Sequence, residues 1–81
     1  MEIDRTRAMW PQIAAVVIQR IKDGTYPPGS KVPSIVEIAA EFGVVNSTAQ
    51  RAMEAVRAEE LTRSEKGMGT FVLTEKERGG A

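Results

Sequence analysis

Residues 34–57 of this chain read SIVEIAAEFGVVNSTAQRAMEAVR, and they contain two short helical patterns on either side of a turn. A second distinctive stretch, GMGTFV at residues 67–72, follows shortly afterwards. Two helices around a tight turn, followed by a glycine-bracketed hairpin, have the order of a helix-turn-helix with a wing. A helix held out in this way fits a DNA major groove, which is about 12 Å wide, while the hairpin can approach the backbone or minor groove beside it.

The first helix of this pair has a start signal and a stop signal. Ser34 and Glu37 have the spacing of a capping box, in which each side chain accepts a hydrogen bond from the other residue's backbone amide. Ile38 and Phe42 supply an apolar face, and Gly43 ends the helix because glycine adopts the left-handed conformation at low cost. The sequence therefore predicts a helix of about two turns.

The second helix begins after a turn formed by residues 44–46. Ser47 and Gln50 again fit a capping box, although Asn46 is an alternative cap. The helix is predicted to run to about residue 59. Its expected buried residues are Ala49, Ala52, Met53 and Val56.

A further helix precedes this pair. Trp10, Ile13, Val17 and Ile21 recur at spacings of three and four, which predicts a helix from about residue 8 to residue 23 with one buried face. Gly24 supplies the stop. Trp10 is therefore expected to be a core residue, and so is Tyr26, rather than an aromatic platform for base stacking.

Residues 61–65 and 70–73 have the composition of short strands around a glycine-containing tip. We predict an α+β, mostly α fold: a winged helix-turn-helix of three helices followed by a two-stranded β-hairpin wing. The domain is expected over residues 8–74, after a flexible N-terminus at residues 1–7. The polar segment 75–81, which ends in Gly-Gly-Ala, is expected to be a disordered tail.

Composition narrows the possible functions. The chain has 81 residues, no cysteine and no histidine, which argues against disulfides, thiolate or imidazole catalysis and the common zinc sites. We therefore predict no enzyme activity and no cofactor. No apolar run approaches the roughly 20 residues of a membrane span, and no signal peptide pattern opens the chain, so we expect a cytoplasmic protein that does not contact membranes.

Eleven basic residues balance eleven acidic ones, which is unusual for a protein that binds nucleic acid. The distribution of the charges matters more than their sum. Arg51 and Arg57 lie in the second helix of the pair, and Arg63 and Lys66 are expected to place positive charge beside the wing tip. We expect a dipolar surface with weak non-specific affinity for phosphate.

Four blocks of sequence together resemble the DNA-binding domain of the GntR family of bacterial transcription regulators. They occur in the family's order and spacing, and the patterns PSxxEIA at 33–39 and TxQRA at 48–52 are most similar to the YtrA-type branch. The resemblance covers about residues 10–72. The four blocks are GTYPPGSKVPS at 24–34, EIA with FGV at 37–44, STAQRA at 47–52 and GMGTFV at 67–72.

The resemblance implies a transcriptional repressor that binds double-stranded DNA as a homodimer on a palindromic operator. The third helix would enter the major groove, the wing would enter the minor groove, and the bound protein would be associated with the nucleoid. Ser34 would hold a phosphate at the start of the second helix, where free amides and the helix dipole favour anions. The DNA-binding residues implied in this way are Ser34, Val36, Asn46, Ser47, Thr48, Gln50, Arg51, Lys66 and Gly67.

Four positions depart from the family pattern. Val36 stands where the family usually has an arginine in the second helix; valine cannot bind guanine through two hydrogen bonds, but it can meet a thymine methyl. Val45 replaces a serine cap, and Asn46 replaces a frequent arginine. Glu60 replaces a glycine, so we expect either a longer third helix or a non-glycine residue in the left-handed conformation. The left-handed conformation would cost about 1 kcal/mol of stability.

Some of these residues also have simpler interpretations. Gln50 and Arg51 could belong to an ordinary solvated helix face, and the Gly67 hairpin could merely close the sheet. Ile35 and Val36 lie off the expected buried stripe, which suggests contact with DNA or with a protein. The alternative function is therefore a winged-helix adaptor that binds a protein partner through the Ile35/Val36 surface.

Overall fold

The structure, a computed structural model, describes residues 3–79. It contains four helices and two strands, and the first three helices and the hairpin form the predicted winged helix-turn-helix. In chain order the elements are α1 (Met9–Lys22), α2 (Ile35–Phe42), α3 (Asn46–Ala58), β1 (Thr62–Glu65), β2 (Gly69–Val72) and α4 (Glu75–Gly79).

One hydrophobic core holds the helices and the hairpin together. Helices α1 and α2 both pack on α3, and β1 follows α3 closely enough to contact it. The predicted buried faces of all three helices are confirmed, apart from Trp10, which is half-buried against the core. The buried residues are Ile13, Ala14, Val16, Val17, Ile21, Val32, Ile38, Ala39, Phe42, Ala49, Ala52, Met53, Val56, Leu61 and Val72.

The start and the end of α2 are as predicted. The Ser34 side chain accepts a hydrogen bond from the Glu37 amide at 3.1 Å, and the Glu37 carboxylate accepts one from the Ser34 amide at 2.8 Å. These two bonds between Ser34 and Glu37 form the predicted capping box. At the other end, Gly43 is the C-cap of the helix, and its φ of 65° lies in the left-handed region.

The predicted cap of α3 is wrong. The helix begins at Asn46, its N-cap is Val45, and no side chain accepts a hydrogen bond there. Ser47 and Gln50 lie inside the helix and form no capping box, and Asn46 is its first residue rather than its cap. The Val45 carbonyl instead accepts the Thr48 and Ala49 amides at 3.1 and 3.2 Å, so the backbone alone starts this helix.

The wing is an antiparallel hairpin, and the backbone of the segment between α1 and α2 hydrogen-bonds to its second strand. Strand β1 pairs with β2 in the register Thr62↔Val72 to Glu65↔Gly69. The segment between α1 and α2 adds to the other side of β2, because the Val32 amide donates to Thr70 O and the Val72 amide donates to Ser30 O, at 2.9 and 2.8 Å. The wing is therefore fixed relative to the start of α2.

The junction between α3 and the wing contains a non-glycine residue in the left-handed region. Glu60 has a φ of 59°, and it is the one residue other than glycine with positive φ among residues 3–79. Of the two outcomes expected from the sequence, the left-handed residue is observed and the longer helix is not. The conformation turns the chain from α3 into β1 within a few residues.

Both ends of the described chain form local structure, and the expected flexibility of residues 1–7 and disorder of residues 75–81 stay predictions. At the N-terminal end, Asp4 and Gln12 exchange hydrogen bonds at 2.6 and 2.7 Å, and Arg5 donates to Phe42 O at 2.9 Å, where a flexible segment 1–7 was expected. At the C-terminal end, α4 occupies part of the expected disordered tail 75–81. Residues 1, 2, 80 and 81 of these two segments lie outside the described residues.

The reason for α4 is a second capping box that was not recognised in the sequence. The Thr74 amide donates to the Glu77 carboxylate at 2.9 Å, and the Glu77 amide donates to the Thr74 hydroxyl at 3.2 Å.

Within residues 3–79 no helix is both long enough and apolar enough to span a bilayer.

Candidate nucleic-acid interface

The N-terminal half of α3 is exposed on the side away from the core. Asn46, Ser47, Gln50 and Arg51 are all exposed, and Thr48 is half-buried. Asn46 and Gln50 are one turn apart, so their side chains lie on the same side of the helix, and Ser47 and Arg51 form a second such pair beside them. The helix therefore presents two adjacent rows of polar side chains.

The first turn of α3 has free donors. Because Val45 offers no capping side chain, the amides of Asn46 and Ser47 have no acceptor among residues 3–79. The Gln50 carboxamide makes no hydrogen bond within those residues either, so it is not occupied by the capping box that the sequence suggested. Free amides and the helix dipole favour an anion at this end of the helix.

The start of α2 is less favourable to an anion than expected. Ser34 is the N-cap, but its hydroxyl already accepts the Glu37 amide, and the Glu37 carboxylate lies at the same helix end. Hydrogen bonds from the Ser34 amide and hydroxyl lower the pKa of Glu37, which keeps that carboxylate charged. A phosphate bound through Ser34 would meet this negative charge.

The neighbouring residues Ile35 and Val36 differ in exposure. Val36 is 64% exposed, as predicted, whereas Ile35 is partly buried and packs against the core. The prediction that both residues lie off the buried stripe is therefore wrong for Ile35. The exposed apolar surface at this position is a single valine, and isolated surface valines are common in soluble proteins.

A groove of about 380 Å³ separates the start of α2 from the wing tip. Its walls are the loop before α2, the C-terminal half of α3 and the tip of the hairpin. Two basic residues face it, Lys31 from the loop and Arg57 from α3. The lining residues are Lys31, Val32, Pro33, Ser34, Ile35, Met53, Arg57, Gly67, Met68, Gly69 and Thr70.

The wing tip depends on glycines at two positions. Gly67 has a φ of 78° and Gly69 a φ of 117°, and the Met68 side chain between them is 63% exposed. A Cβ at Gly69 would lie 2.5 Å from Lys31 Cε, so the Lys31 stem passes directly over this glycine. The tip therefore combines a narrow backbone with an adjacent ammonium group.

Ion pairs divide the basic residues into two groups. Arg20 Nη2 lies 2.6 Å from Glu41 Oε2, and this bond, with a second to the Tyr26 hydroxyl, raises the pKa of Arg20. Arg63 pairs with Glu65 and Glu77, and its guanidinium carbon lies 5.2 Å from the Phe71 ring centroid. The expectation that Arg63 adds positive charge beside the wing tip is therefore wrong.

The remaining basic residues near α3 and the wing are unpaired. Within residues 3–79 no carboxylate lies within 4 Å of the charged groups of Lys31, Arg51, Arg57 or Lys66. These four surround the exposed half of α3, the groove and the wing tip. The chain has no net charge, yet α3, the wing and the loop before α2 carry four cations that no carboxylate of residues 3–79 neutralises.

Trp10 and Tyr26 have structural roles that the sequence only partly predicted. Tyr26 is partly buried and accepts a hydrogen bond from Arg20 at 2.8 Å. Trp10 is also partly buried, but its ring additionally lies under Arg51, whose guanidinium carbon is 5.3 Å from the ring centroid. Neither ring is a free platform for base stacking.

The structure thus places most of the predicted site residues on two exposed elements, the first half of α3 and the wing tip. Asn46, Ser47, Gln50 and Arg51 share the exposed half of α3, and Lys66 and Gly67 lie at the wing tip. It adds three residues that were not among the predicted contacts, namely Lys31, Arg57 and Met68, which line the groove between the start of α2 and the wing tip. The basic character of Lys31 and Arg57 was visible in the sequence, but their convergence on one groove was not.

The overall architecture matches known DNA-binding proteins. A GntR family transcriptional regulator from Listeria monocytogenes superposes with a TM-score of 0.82 at 29% identity, over 93% of this chain and 66% of that one. The DNA-binding domain of AraR, solved in complex with operator ORR3, superposes with a TM-score of 0.71 at 30% identity, over 78% of this chain and 76% of that one.

Sequence comparison agrees with the structural match. The histidine utilization repressor of Pseudomonas putida is 34% identical over 70 residues, which are 86% of this chain and 28% of the repressor. This chain therefore spans little more than a quarter of that relative. The fold and the relatives are those of DNA-binding transcription regulators and not those of enzymes.

The family model for bacterial regulatory proteins of the gntR family matches residues 11–72. Those residues include α1, the helix-turn-helix pair α2 and α3, and the wing, apart from the first two residues of α1. The chain therefore belongs to the GntR family of bacterial transcription regulators and contains its winged helix-turn-helix DNA-binding domain.

Proposed function

We propose that this chain is a sequence-specific DNA-binding repressor that places α3 in the major groove and the wing in the minor groove of a palindromic operator. The observation that supports this proposal most directly is the exposed first half of α3, with free amides at its start and unpaired Arg51 on its surface. A related protein is called a repressor, and another was solved with an operator.

The contacts divide into those that position the protein and those that read sequence. Ser47, Thr48 and the free amides at the start of α3 bind phosphate, as does Arg51. Asn46 and Gln50 face base edges, with Val36 beside them. Lys66 and Gly67 follow the minor groove, and Ser34 contributes a weaker phosphate contact because of Glu37.

Dimerisation on DNA follows from the palindrome. Two copies would place their α3 helices about 34 Å apart, one turn of the duplex, so half-sites should recur at that spacing. We propose that a single domain binds weakly and that affinity rises when two copies occupy both half-sites.

The adaptor alternative has less support than the DNA-binding function. It requires a continuous apolar surface at Ile35 and Val36, and Ile35 packs against the core. A single exposed valine is a small target for a protein partner.

The test is selection from a random DNA pool over a series of salt concentrations, with wild type, Arg51→Ala and Arg78→Ala. Arg78 lies on α4, so this variant makes the same change in charge away from α3. We expect wild type and Arg78→Ala to enrich a palindrome, and Arg51→Ala to enrich the same palindrome more weakly, with a shallower dependence of affinity on salt. The proposal fails if wild type enriches no sequence at low salt.

A further inference from the structure

We propose that the operator half-site consists of A·T pairs at the positions that α2 and the start of α3 face. The surface concerned, here called the valine–amide face, comprises Val36, Val45, Asn46 and Gln50. This inference rests on the proposed function, in that α3 must lie in the major groove. It adds the base composition that this particular surface selects.

The two amides of this face are aligned and available. Asn46 is the first residue of α3 and Gln50 lies one turn later, within about 40° of it around the helix axis. Both are exposed, and their side chains form no hydrogen bond among residues 3–79. Each therefore offers a carbonyl acceptor and an amino donor side by side.

A carboxamide matches adenine better than guanine in the major groove. Adenine presents the N7 acceptor beside the N6 amino donor, so an Asn or Gln side chain binds both atoms at once. Guanine presents two acceptors, N7 and O6, so the amide oxygen would oppose one of them. Discrimination of about tenfold for each well-placed amide is the expected scale.

The two valines match thymine for a complementary reason. Val45 is 67% exposed and Val36 is 64% exposed, and together with Met68 at the wing tip they are the large hydrophobic residues left exposed among residues 3–79. The C5 methyl of thymine is the apolar group of the major groove, whereas cytosine presents an amino donor that valine cannot satisfy. Contact with the methyl therefore favours thymine.

The two arginines of α3 are directed elsewhere. Arginine is the side chain that most often selects guanine. Arg51 leans over the Trp10 ring on α1, and Arg57 lies in the groove beside the wing tip. With these two arginines occupied in that way, the valine–amide face has no group that prefers a G·C pair.

The first part of the test compares sequences selected by wild type, Gln50→Arg and Gln19→Arg. Gln19 is an exposed glutamine of α1, so it provides the same substitution away from α3. We expect wild type and Gln19→Arg to enrich half-sites with adenine at the positions facing α3. Gln50→Arg should replace one of these adenines by guanine, with a preference of about tenfold or more.

The second part removes the thymine methyl without changing base pairing. Uracil is substituted for each half-site thymine in turn, and affinity is measured for wild type, Val36→Ala and Val45→Ala. Wild type should lose roughly fourfold at the thymine that meets each valine, as expected for one apolar carbon. The matching alanine variant should lose nothing further at that position. Circular dichroism checks that the variants remain folded.

The possible failures are distinguishable. A palindrome enriched by wild type with G·C pairs at the positions facing α3 overturns the A·T inference and leaves the proposed function intact. An A·T-rich site that Gln50→Arg does not change, and whose uracil substitutions cost wild type nothing, also overturns it, because DNA shape would then be the determinant. Enrichment of no sequence overturns the inference together with the proposed function.

Discussion

The Arg51 guanidinium lies over the ring of Trp10, with 5.3 Å between its central carbon and the ring centroid. Arg51 belongs to α3 and Trp10 to the first turn of α1, so the contact joins the proposed DNA-facing helix to the helix that supports it. A guanidinium held by an aromatic face loses less conformational freedom when it binds phosphate. Trp10 is therefore both a core residue and the residue that positions Arg51.

Replacing Trp10 by leucine should weaken DNA binding through Arg51. We expect Trp10→Leu to reduce affinity for the selected operator a few-fold, since cation–π contacts at exposed sites contribute about 0.5–1 kcal/mol. Fluorescence anisotropy with labelled operator measures the change. In an Arg51→Ala background the same substitution should have no further effect, because the side chain that Trp10 positions is absent.

A matched control is Tyr26→Leu, which removes another partly buried aromatic residue without touching Arg51. It should change stability but leave operator affinity of the folded protein unaltered. Equal losses from Trp10→Leu with and without Arg51 would contradict the positioning role and leave Trp10 as a packing residue alone.

Lys66 and Arg63 are neighbouring basic residues of the wing with different expected roles. Lys66 has no carboxylate partner among residues 3–79, whereas Arg63 is paired with Glu65 and Glu77. Lys66→Ala should reduce the slope of log affinity against log salt by about 0.9, the value for one phosphate contact. Arg63→Ala should leave the slope unchanged, and binding measured from low to moderate salt distinguishes the two. A reduction of the same size in Arg63→Ala would show that the Arg63 ion pairs open on DNA, and an unchanged slope in Lys66→Ala would contradict the Lys66 contact.

The fold was predictable from the sequence because its signals are local. Gly24 and Gly43 end helices α1 and α2 in the left-handed conformation, and Ser34 with Glu37 forms the capping box that their spacing indicates. The apolar spacing of α3 also identified its buried face. Each of these signals acts within a few residues and needs no knowledge of the tertiary structure.

Two features were not predicted: the cap of α3 and the ion pairs of Arg63. The first depends on which of several possible residues starts the helix, and the second depends on contacts between residues far apart in the sequence. Ser47 and Gln50 have the capping-box spacing, yet α3 begins two residues earlier than that spacing predicts and leaves both side chains free. Arg63 is neutralised by Glu77, which lies in a segment that was expected to be disordered. Sequence spacing does not reveal which carboxylate an arginine meets across a fold, so the available charge at the site was misjudged in part.

Ser34, the N-cap of α2, and Ser47, the second residue of α3, should differ in their effect on the free energy of unfolding. Ser34→Ala removes a formed cap and should lower the free energy of unfolding by about 1 kcal/mol. Ser47→Ala should change it by less than about 0.5 kcal/mol, because the Ser47 hydroxyl caps nothing. Urea denaturation at neutral pH measures both. A larger loss from Ser47→Ala would restore the capping role that the sequence suggested.

The same capping box gives a pH dependence with a defined sign. Hydrogen bonds from Ser34 lower the pKa of Glu37, so its contribution to stability is fully present above the usual glutamate pKa of about 4.3. The contribution is lost as the pH falls through the lower value in the folded protein. In Ser34→Ala the pKa of Glu37 should rise towards its usual value, which NMR titration of the side-chain carboxyl carbon measures. An unchanged pKa would mean that the Ser34 hydroxyl does not contribute to the shift.

Glu60 should be replaceable by glycine with a gain in stability. Its φ of 59° places a residue with a Cβ in the left-handed region, which costs about 1 kcal/mol relative to glycine. We expect Glu60→Gly to raise the free energy of unfolding by about 0.5–1 kcal/mol, since part of the gain is offset by the greater entropy of glycine in the unfolded chain. The control is Glu59→Gly: Glu59 has a φ of −79°, so glycine there relieves nothing and should destabilise the protein. Thermal and urea unfolding of the two variants make the comparison, and a loss of stability in Glu60→Gly would show that the Glu60 side chain contributes more than its backbone conformation costs.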